Sequence, residues 1–161
     1  MSTDKRPRVI VFDLDYTLWP FWVDTHVTPP FRKGKGNQVV DAQGHPIKYY
    51  PEVPDVLKEL FKEGYELGVA SRTSEIQGAN QLLKLFDWDK YFKYKEIYPG
   101  CKVTHFSRIQ KNSGINLTEM LFFDDEDRNI KDLTKVGVTS ILVRNGVNRE
   151  VVKNGLSRFS K

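Results

Sequence analysis

Val9-Ile10-Val11-Phe12-Asp13-Leu14-Asp15-Tyr16-Thr17 is an apolar run that breaks into two aspartates and a hydroxyl without a spacer. Val, Ile and Phe in succession suit a strand buried on both faces. Four further apolar runs read the same way: Glu66 to Ala70, Tyr94 to Tyr98, Met120 to Phe123 and Val138 to Val143.

Between these runs lie stretches of helical period. Val56, Leu57, Leu60 and Phe61 share one face before Gly64, and Ile76, Ala79, Leu82, Leu83 and Phe86 repeat the pattern. A third helix is predicted from about Val103 to just before Gly114, a fourth from about Asp127 to Val136, and a last over Asn148 to Phe159. Strands alternating with helices argue for parallel pairing, because right-handed crossovers return each strand beside an earlier one. The expected fold is α/β: a doubly wound, Rossmann-like, five-stranded parallel sheet with helices on both faces.

One segment breaks the alternation. Residues 24–50 are rich in Gly, Pro and charge, with a turn signal at Asp41-Ala42-Gln43-Gly44 between β-compatible runs. This insert reads as a small β-hairpin flap near the strand ends, too short for a large cap domain; the alternative is a solvated loop. The whole of 1–161 is expected to form one domain, since a chain of 161 residues supports one core of ordinary size.

Composition narrows the function. Lys and Arg number 25 against 21 Asp and Glu, a net charge of +4. The basic residues Lys5, Arg6, Arg8 and Arg32-Lys33-Gly34-Lys35 come with no nucleic-acid-binding signature, so no nucleic-acid partner is expected. No apolar stretch approaches the roughly 18 residues that span a bilayer, so no membrane partner is expected either. Cys101 is the only cysteine, which fits a reducing, cytoplasmic location. A cysteine-nucleophile phosphatase loop needs five residues between Cys and Arg, whereas six separate Cys101 from Arg108.

Ligands of open parallel sheets bind beyond the carboxyl ends of the strands. Here those ends carry Asp13 and Asp15, Ser71-Arg72-Thr73, and Asp124-Asp125-Glu126-Asp127. Carboxylates gathered on one rim repel unless a cation neutralises them. Oxygen donors with no His or Cys at ligand spacing select Mg2+. Trp19, Phe21 and Trp22 either wall a leaving-group pocket or pack the core, and Arg72 either clamps an anionic part of a substrate or pairs with a nearby acid.

The stretch from Val9 to Thr17 resembles the first motif, hhhhDxDxT, of the haloacid dehalogenase superfamily. Ser71 after a strand resembles its second motif, Lys102 at a helix start its third, and Phe122-Phe123-Asp124-Asp125 its fourth. Trp19-Pro20-Phe21-Trp22, Ala70-Ser71-Arg72-Thr73 and Phe123-Asp124-Asp125-Glu126 resemble, more narrowly, its eukaryotic magnesium-dependent phosphatase subgroup.

That resemblance implies a phosphatase acting on phosphate monoesters. Asp13 would form an aspartyl-phosphate, Asp15 would serve as acid and then base, and Ser71 and Lys102 would hold the phosphoryl group. Asp13, the Asp15 carbonyl and Asp125 would bind the metal. The glycine of the usual GDxxxD motif stands here as Asp124 and its last acid as Asn129, so Asp124 is expected behind the metal, orienting Lys102 or a metal-bound water. Expected partners are small phosphorylated substrates, sugar phosphates or sugar adducts of amines, with phosphotyrosine-like aryl phosphates or phosphoproteins as the other class. A monomer or weak dimer is expected. A phosphomutase of the same superfamily and a non-catalytic, metal-dependent binding module are the competing readings.

Overall fold

The computed structural model describes residues 5–161. Twelve elements carry the argument: β1 (Val9–Phe12), β2 (Arg32–Lys33), β3 (Val39–Val40), α1 (Val53–Lys62), β4 (Glu66–Ser71), α2 (Ile76–Leu85), β5 (Phe92–Ile97), α3 (Lys102–Ser113), β6 (Met120–Asp124), α4 (Asp127–Lys135), β7 (Thr139–Leu142) and α5 (Arg149–Ser160). All five apolar runs form strands. The main sheet has the order β5-β4-β1-β6-β7, and every pair in it is parallel.

Period-two alternation in β1 explains the layering. Ile10 and Phe12 point into one core with Val56, Leu57, Leu82, Leu83, Val152 and Phe159, which come from α1, α2 and α5. Val9 and Val11 point into another, with Phe106 and Ile109 of α3 and Leu133 of α4. Helices therefore cover both faces. No helix among the described residues is long and apolar enough to cross a membrane.

The chain builds outward from β1 through β4 to β5, then crosses back to lay β6 and β7 on the other side. The direction in which strands are added thus reverses at β1, flanked by β4 and β6, and a crevice opens beyond their carboxyl ends. Arg6 and Arg8 lie before β1, at the opposite end of the sheet. There Arg6 donates to the Glu63 carbonyl at 3.0 Å, and Arg8 sits 3.8 Å from Glu119.

The insert is a hairpin, but its tip differs from the expected one. β2 and β3 pair antiparallel, with Arg32 opposite Val40, around a turn at Lys35–Asn37 in which Gly36 has φ 65°. The Asp41-to-Gly44 signal makes a second reversal, which brings Pro46 back against Val40. Buried Asp41 organises it by accepting from the backbone N–H groups of Thr28, Gln43 and His45 at 3.2, 3.0 and 2.9 Å. Burial alone would raise its carboxyl pKa; those donors outweigh it and hold the pKa below the ordinary value.

Phe31, Val39 and Ile47 of the insert are buried in the main core, which decides against a solvated loop. The hairpin lies along α2 rather than over the crevice: Phe31 N–H donates to Gln81 at 2.6 Å, and the tip lines a groove with Leu85 and Asp87 at the far end of that helix. A flap beside the strand ends is therefore true only of its first residues, Asp24 and Thr25, which line the crevice. Burying the insert's apolar residues against α2 places it there.

α5 closes the fold through a close approach. A Cβ on Gly155 would stand 2.6 Å from Phe123 Cζ, so the helix reaches β6 only because that position is bare. Gly155→Ala is expected to cost about 1–3 kcal/mol by overpacking, read as a fall of roughly 2–4 °C per kcal/mol in a thermal melt. An unchanged melting temperature would show that α5 docks loosely.

Candidate active site

β1, β4 and β6 end within reach of one another because they are neighbours in the sheet, and their last residues turn polar together. Asp13 leaves β1 with its N–H donating to the Phe123 carbonyl at 3.0 Å, so one more ladder bond fixes its backbone. Asp124 ends β6, Asp125 follows it and Ser71 ends β4. A cavity of about 260 Å3 opens on this rim, lined by Asp13, Asp15, Ser71, Arg72, Lys102 and Asp125 together with Trp22, Asp24, Thr25, Thr73, Glu126 and Asn129.

Lys102 enters from the first turn of α3. Its side chain is buried, and its Nζ donates to Asp13 Oδ1 and to Asp124 Oδ2, both at 2.7 Å. Burial alone would strip the ammonium of its proton; the two carboxylates outweigh it and raise the pKa. Asp13 accepts from Thr17 Oγ1 on its other oxygen at 3.1 Å. Burial first and the Asp124 charge second push its carboxyl well above the ordinary value, with Lys102 opposing them.

Asp124 is bonded on every side. Beyond Lys102 it accepts from the Glu126 N–H at 3.0 Å and from Asn129 Nδ2 at 2.9 Å. Asn129 Oδ1 accepts in turn from Arg72 at 3.3 Å. The position where the usual motif has an acid therefore relays between an arginine and an aspartate. Sequence reasoning missed this bridge; its one signal was that Asn129 sits in the first turn of α4, which starts beside the rim.

Asp15 hangs on the other side of Asp13. Its Oδ1 accepts from Trp19 Nε1 at 2.8 Å and from the Val23 N–H at 3.1 Å. Burial pushes its pKa up to about 6 against those two donors. Tyr16, next in the turn, has φ 58°, a backbone strain of the kind that gathers at functional sites.

Trp19 corrects the sequence reading. It does not wall the cavity: it is fully buried, stacked between Phe21 and Trp88 at centroid distances of 5.5 and 6.4 Å, and only its indole N–H reaches Asp15. Trp22 lines the cavity instead, half exposed and stacked on His26 at 5.0 Å. Ser71, Arg72 and Lys102 all line the cavity.

Carboxylate oxygens of Asp13, Asp124 and Asp125 lie within 4.8 Å of one another. Three carboxylates against one ammonium leave two negative charges, the complement of a divalent cation, and every donor is a hard oxygen. The residues fit magnesium. Burial, with the charges of Asp124 and Glu126, lifts the Asp125 pKa to about 6, with the neighbouring Asp13 carboxyl opposing the rise.

Removing the ammonium alone isolates two buried carboxylates. In chelator, Lys102→Met is expected to lose about 3 kcal/mol of stability, and magnesium is expected to restore more of it than it adds to the wild type. Melts with and without the ion measure this; equal magnesium shifts in the two proteins would dissociate Lys102 from the acidic cluster.

Comparison with known proteins agrees with this geometry. The family described as Acid Phosphatase matches residues 5–161. The human protein named Magnesium-dependent phosphatase 1 is 57% identical over 157 residues, covering 98% of this chain and 89% of its own length. A HAD-like hydrolase superfamily protein of Schizosaccharomyces pombe is 40% identical over 165 residues, with 96% and 91% covered. The crystal structure of a HAD-superfamily hydrolase from Ehrlichia chaffeensis superposes with a TM-score of 0.71 at 10% identity, covering 98% of this chain and 99% of that one, which shows the shared fold. An acidic, lysine-bridged rim on a doubly wound sheet, matched along nearly its whole length, makes this chain a member of the acid phosphatase family of haloacid dehalogenase-like hydrolases.

Proposed function

We propose that this magnesium-dependent phosphatase hydrolyses phosphate monoesters through an aspartyl-phosphate on Asp13. One observation carries the reading. The Asp13 carboxylate faces a polar cavity while a buried ammonium 2.7 Å away holds it in place, beside a second acid, Asp15, on the same turn. A binding module has no use for that pairing.

In the first step an Asp13 oxygen forms a bond to phosphorus as the bond from phosphorus to the leaving oxygen breaks, and Asp15 gives that oxygen its proton. In the second, Asp15 takes a proton from water, the water oxygen bonds to phosphorus, and the Asp13 carboxylate is released. Trp19 and Val23 hold the Asp15 carboxyl beside the cavity for both transfers. Ser71 donates to a phosphoryl oxygen, and Lys102 balances the charge that Asp13 and the phosphoryl group bring together. Asp13, Asp125 and the Asp15 carbonyl would hold magnesium, which would supply positive charge against the phosphoryl oxygens.

A hairpin lying along α2 leaves the cavity open to water, which favours hydrolysis over transfer to a second sugar. The cavity volume, the aromatic face of Trp22 and the Arg72 guanidinium beside it favour small phosphorylated sugars or sugar adducts of amines over folded phosphoproteins. A cytoplasmic location completes the reading, supported by the lone free Cys101, which suits a reducing compartment, and the protein is proposed to be a monomer or weak dimer.

Asp13→Asn is expected to lower turnover of an aryl phosphate at least about a thousandfold while leaving the melt cooperative. Acid-quenched wild-type protein is expected to yield a phosphorylated peptide containing Asp13. Unchanged turnover in the variant would overturn the nucleophile assignment. In a substrate panel, sugar phosphates are expected to exceed a phosphoprotein in kcat/KM, and parity would overturn the small-substrate reading.

A further inference from the structure

His105 lies fully buried one turn along α3 from Lys102. Its Nε2 is 2.9 Å from the Ser71 carbonyl and 2.8 Å from the Tyr98 carbonyl, and its Nδ1 is 3.1 Å from the Cys101 carbonyl. All three partners are acceptors, so Nε2, facing two of them, carries a hydrogen and donates.

Those carbonyls mark where the sheet ladder stops. Ser71 is the last residue of β4 and pairs with Ile97, the last of β5, and the Tyr98 N–H donates one further bond to the Ser71 carbonyl at 3.1 Å. Past this point the backbone leaves the sheet, and His105 takes over. It fastens the ends of two strands to the helix whose first residue is Lys102.

The ring itself is braced. Tyr98 stacks on it with centroids 4.3 Å apart and planes 8° from parallel. The Tyr98 hydroxyl donates to Glu96 at 2.6 Å, and Glu96 accepts from Arg108 Nε at 3.1 Å. A ring held in one plane can donate in one direction, which a bond used for alignment requires.

We propose that His105 is a positioning residue for phosphoryl transfer, setting the spacing between Ser71 on β4 and Lys102 on α3. The inference rests on the phosphatase reading, in which these two side chains hold one phosphoryl group from different elements. Ala70 of β4 packs with Phe106 and Ile109 of α3 and holds the two elements together, whereas His105 bonds the Ser71 carbonyl itself; a misplacement of about 1 Å in such a pair costs on the order of a hundredfold in rate.

Three variants test it, each first shown to be folded by circular dichroism. His105→Gln carries an N–H near the Nε2 position, His105→Asn only near the Nδ1 position, and His105→Phe keeps an aromatic ring and has no N–H to donate. With an aryl phosphate at saturating magnesium, kcat is expected to fall about 10- to 100-fold in the Phe and Asn variants. KM is expected to move much less, the magnesium activation curve to stay in place, and the Gln variant to recover most of the loss. Thermal shifts by orthovanadate with magnesium read the same alignment without turnover and are expected to shrink in Phe and Asn and persist in Gln.

Wild-type kcat and vanadate shift in the Phe or Asn variant would overturn the proposal, as would a Gln variant no better than Asn. A wild type that takes vanadate yet turns over no phosphate ester would count against the phosphatase reading, and the vanadate shifts would still decide the role of His105. Should the Phe variant fail to fold, the Gln and Asn pair decides alone.

Discussion

A single ammonium holds the acidic rim together. Lys102 sits at the start of α3, where the helix dipole disfavours a cation by roughly 0.3–1 kcal/mol. Two carboxylates at 2.7 Å outweigh that, since hydrogen bonds between charged groups contribute about 1.5–3 kcal/mol each. Without it, Asp13 and Asp124 would sit buried and mutually repulsive; burial first and that repulsion second already raise the pKa of Asp13. The pair is a poor stabilising device by itself, because desolvating three charges consumes most of what their attraction returns. Its value is directional: an oxygen of Asp13 is aimed, and a residual charge of two is left for a divalent ion.

Topology supplies what Lys102 binds. Asp13 and Asp124 come from adjacent strands, β1 and β6, in register through Phe12 and Phe123, so their positions follow from ladder spacing. Ser71 comes from β4 on the other side of β1. The reversal of strand order at β1 puts acid on one flank and hydroxyl on the other. Crossovers that kept to one side would have scattered these three residues along an edge.

These features explain which parts of the site were legible in the sequence. Asp13, Asp15, Ser71 and Asp125 sit where apolar runs end, and strand ends in a parallel sheet point to one rim whatever the helices do. Asp124 was readable through the resemblance, standing where the usual motif has a glycine, as a residue behind the metal that orients Lys102 or a metal-bound water, and the structure shows its bond to Lys102. The aromatic segment was not readable: Trp19 and Trp22 lie in an irregular turn with Tyr16 at φ 58°, and no periodicity says which indole faces the core. The hairpin's course was hidden for a related reason. The burial of Phe31, Val39 and Ile47 against α2 is a tertiary choice, and local turn signals mark where a chain reverses without saying what it then covers. The Asn129 bridge and the His105 clasp depend on side chains meeting across elements.

The hairpin's position bears on how specificity is divided. A lid over the rim would read the leaving group with its own residues and would have to open for each turnover. Here the rim is lined by groups already fixed to the scaffold: Trp22 stacked on His26, and Arg72 tied through Asn129 to Asp124. Arg72 is therefore coupled to the group that orients Lys102, and a substrate anion drawing Arg72 away from Asn129 would loosen one of the bonds on Asp124. On the proposed function, recognition of the leaving group and alignment of the nucleophile would share that carboxylate. On that proposal, specificity would act through the same network that aims Asp13.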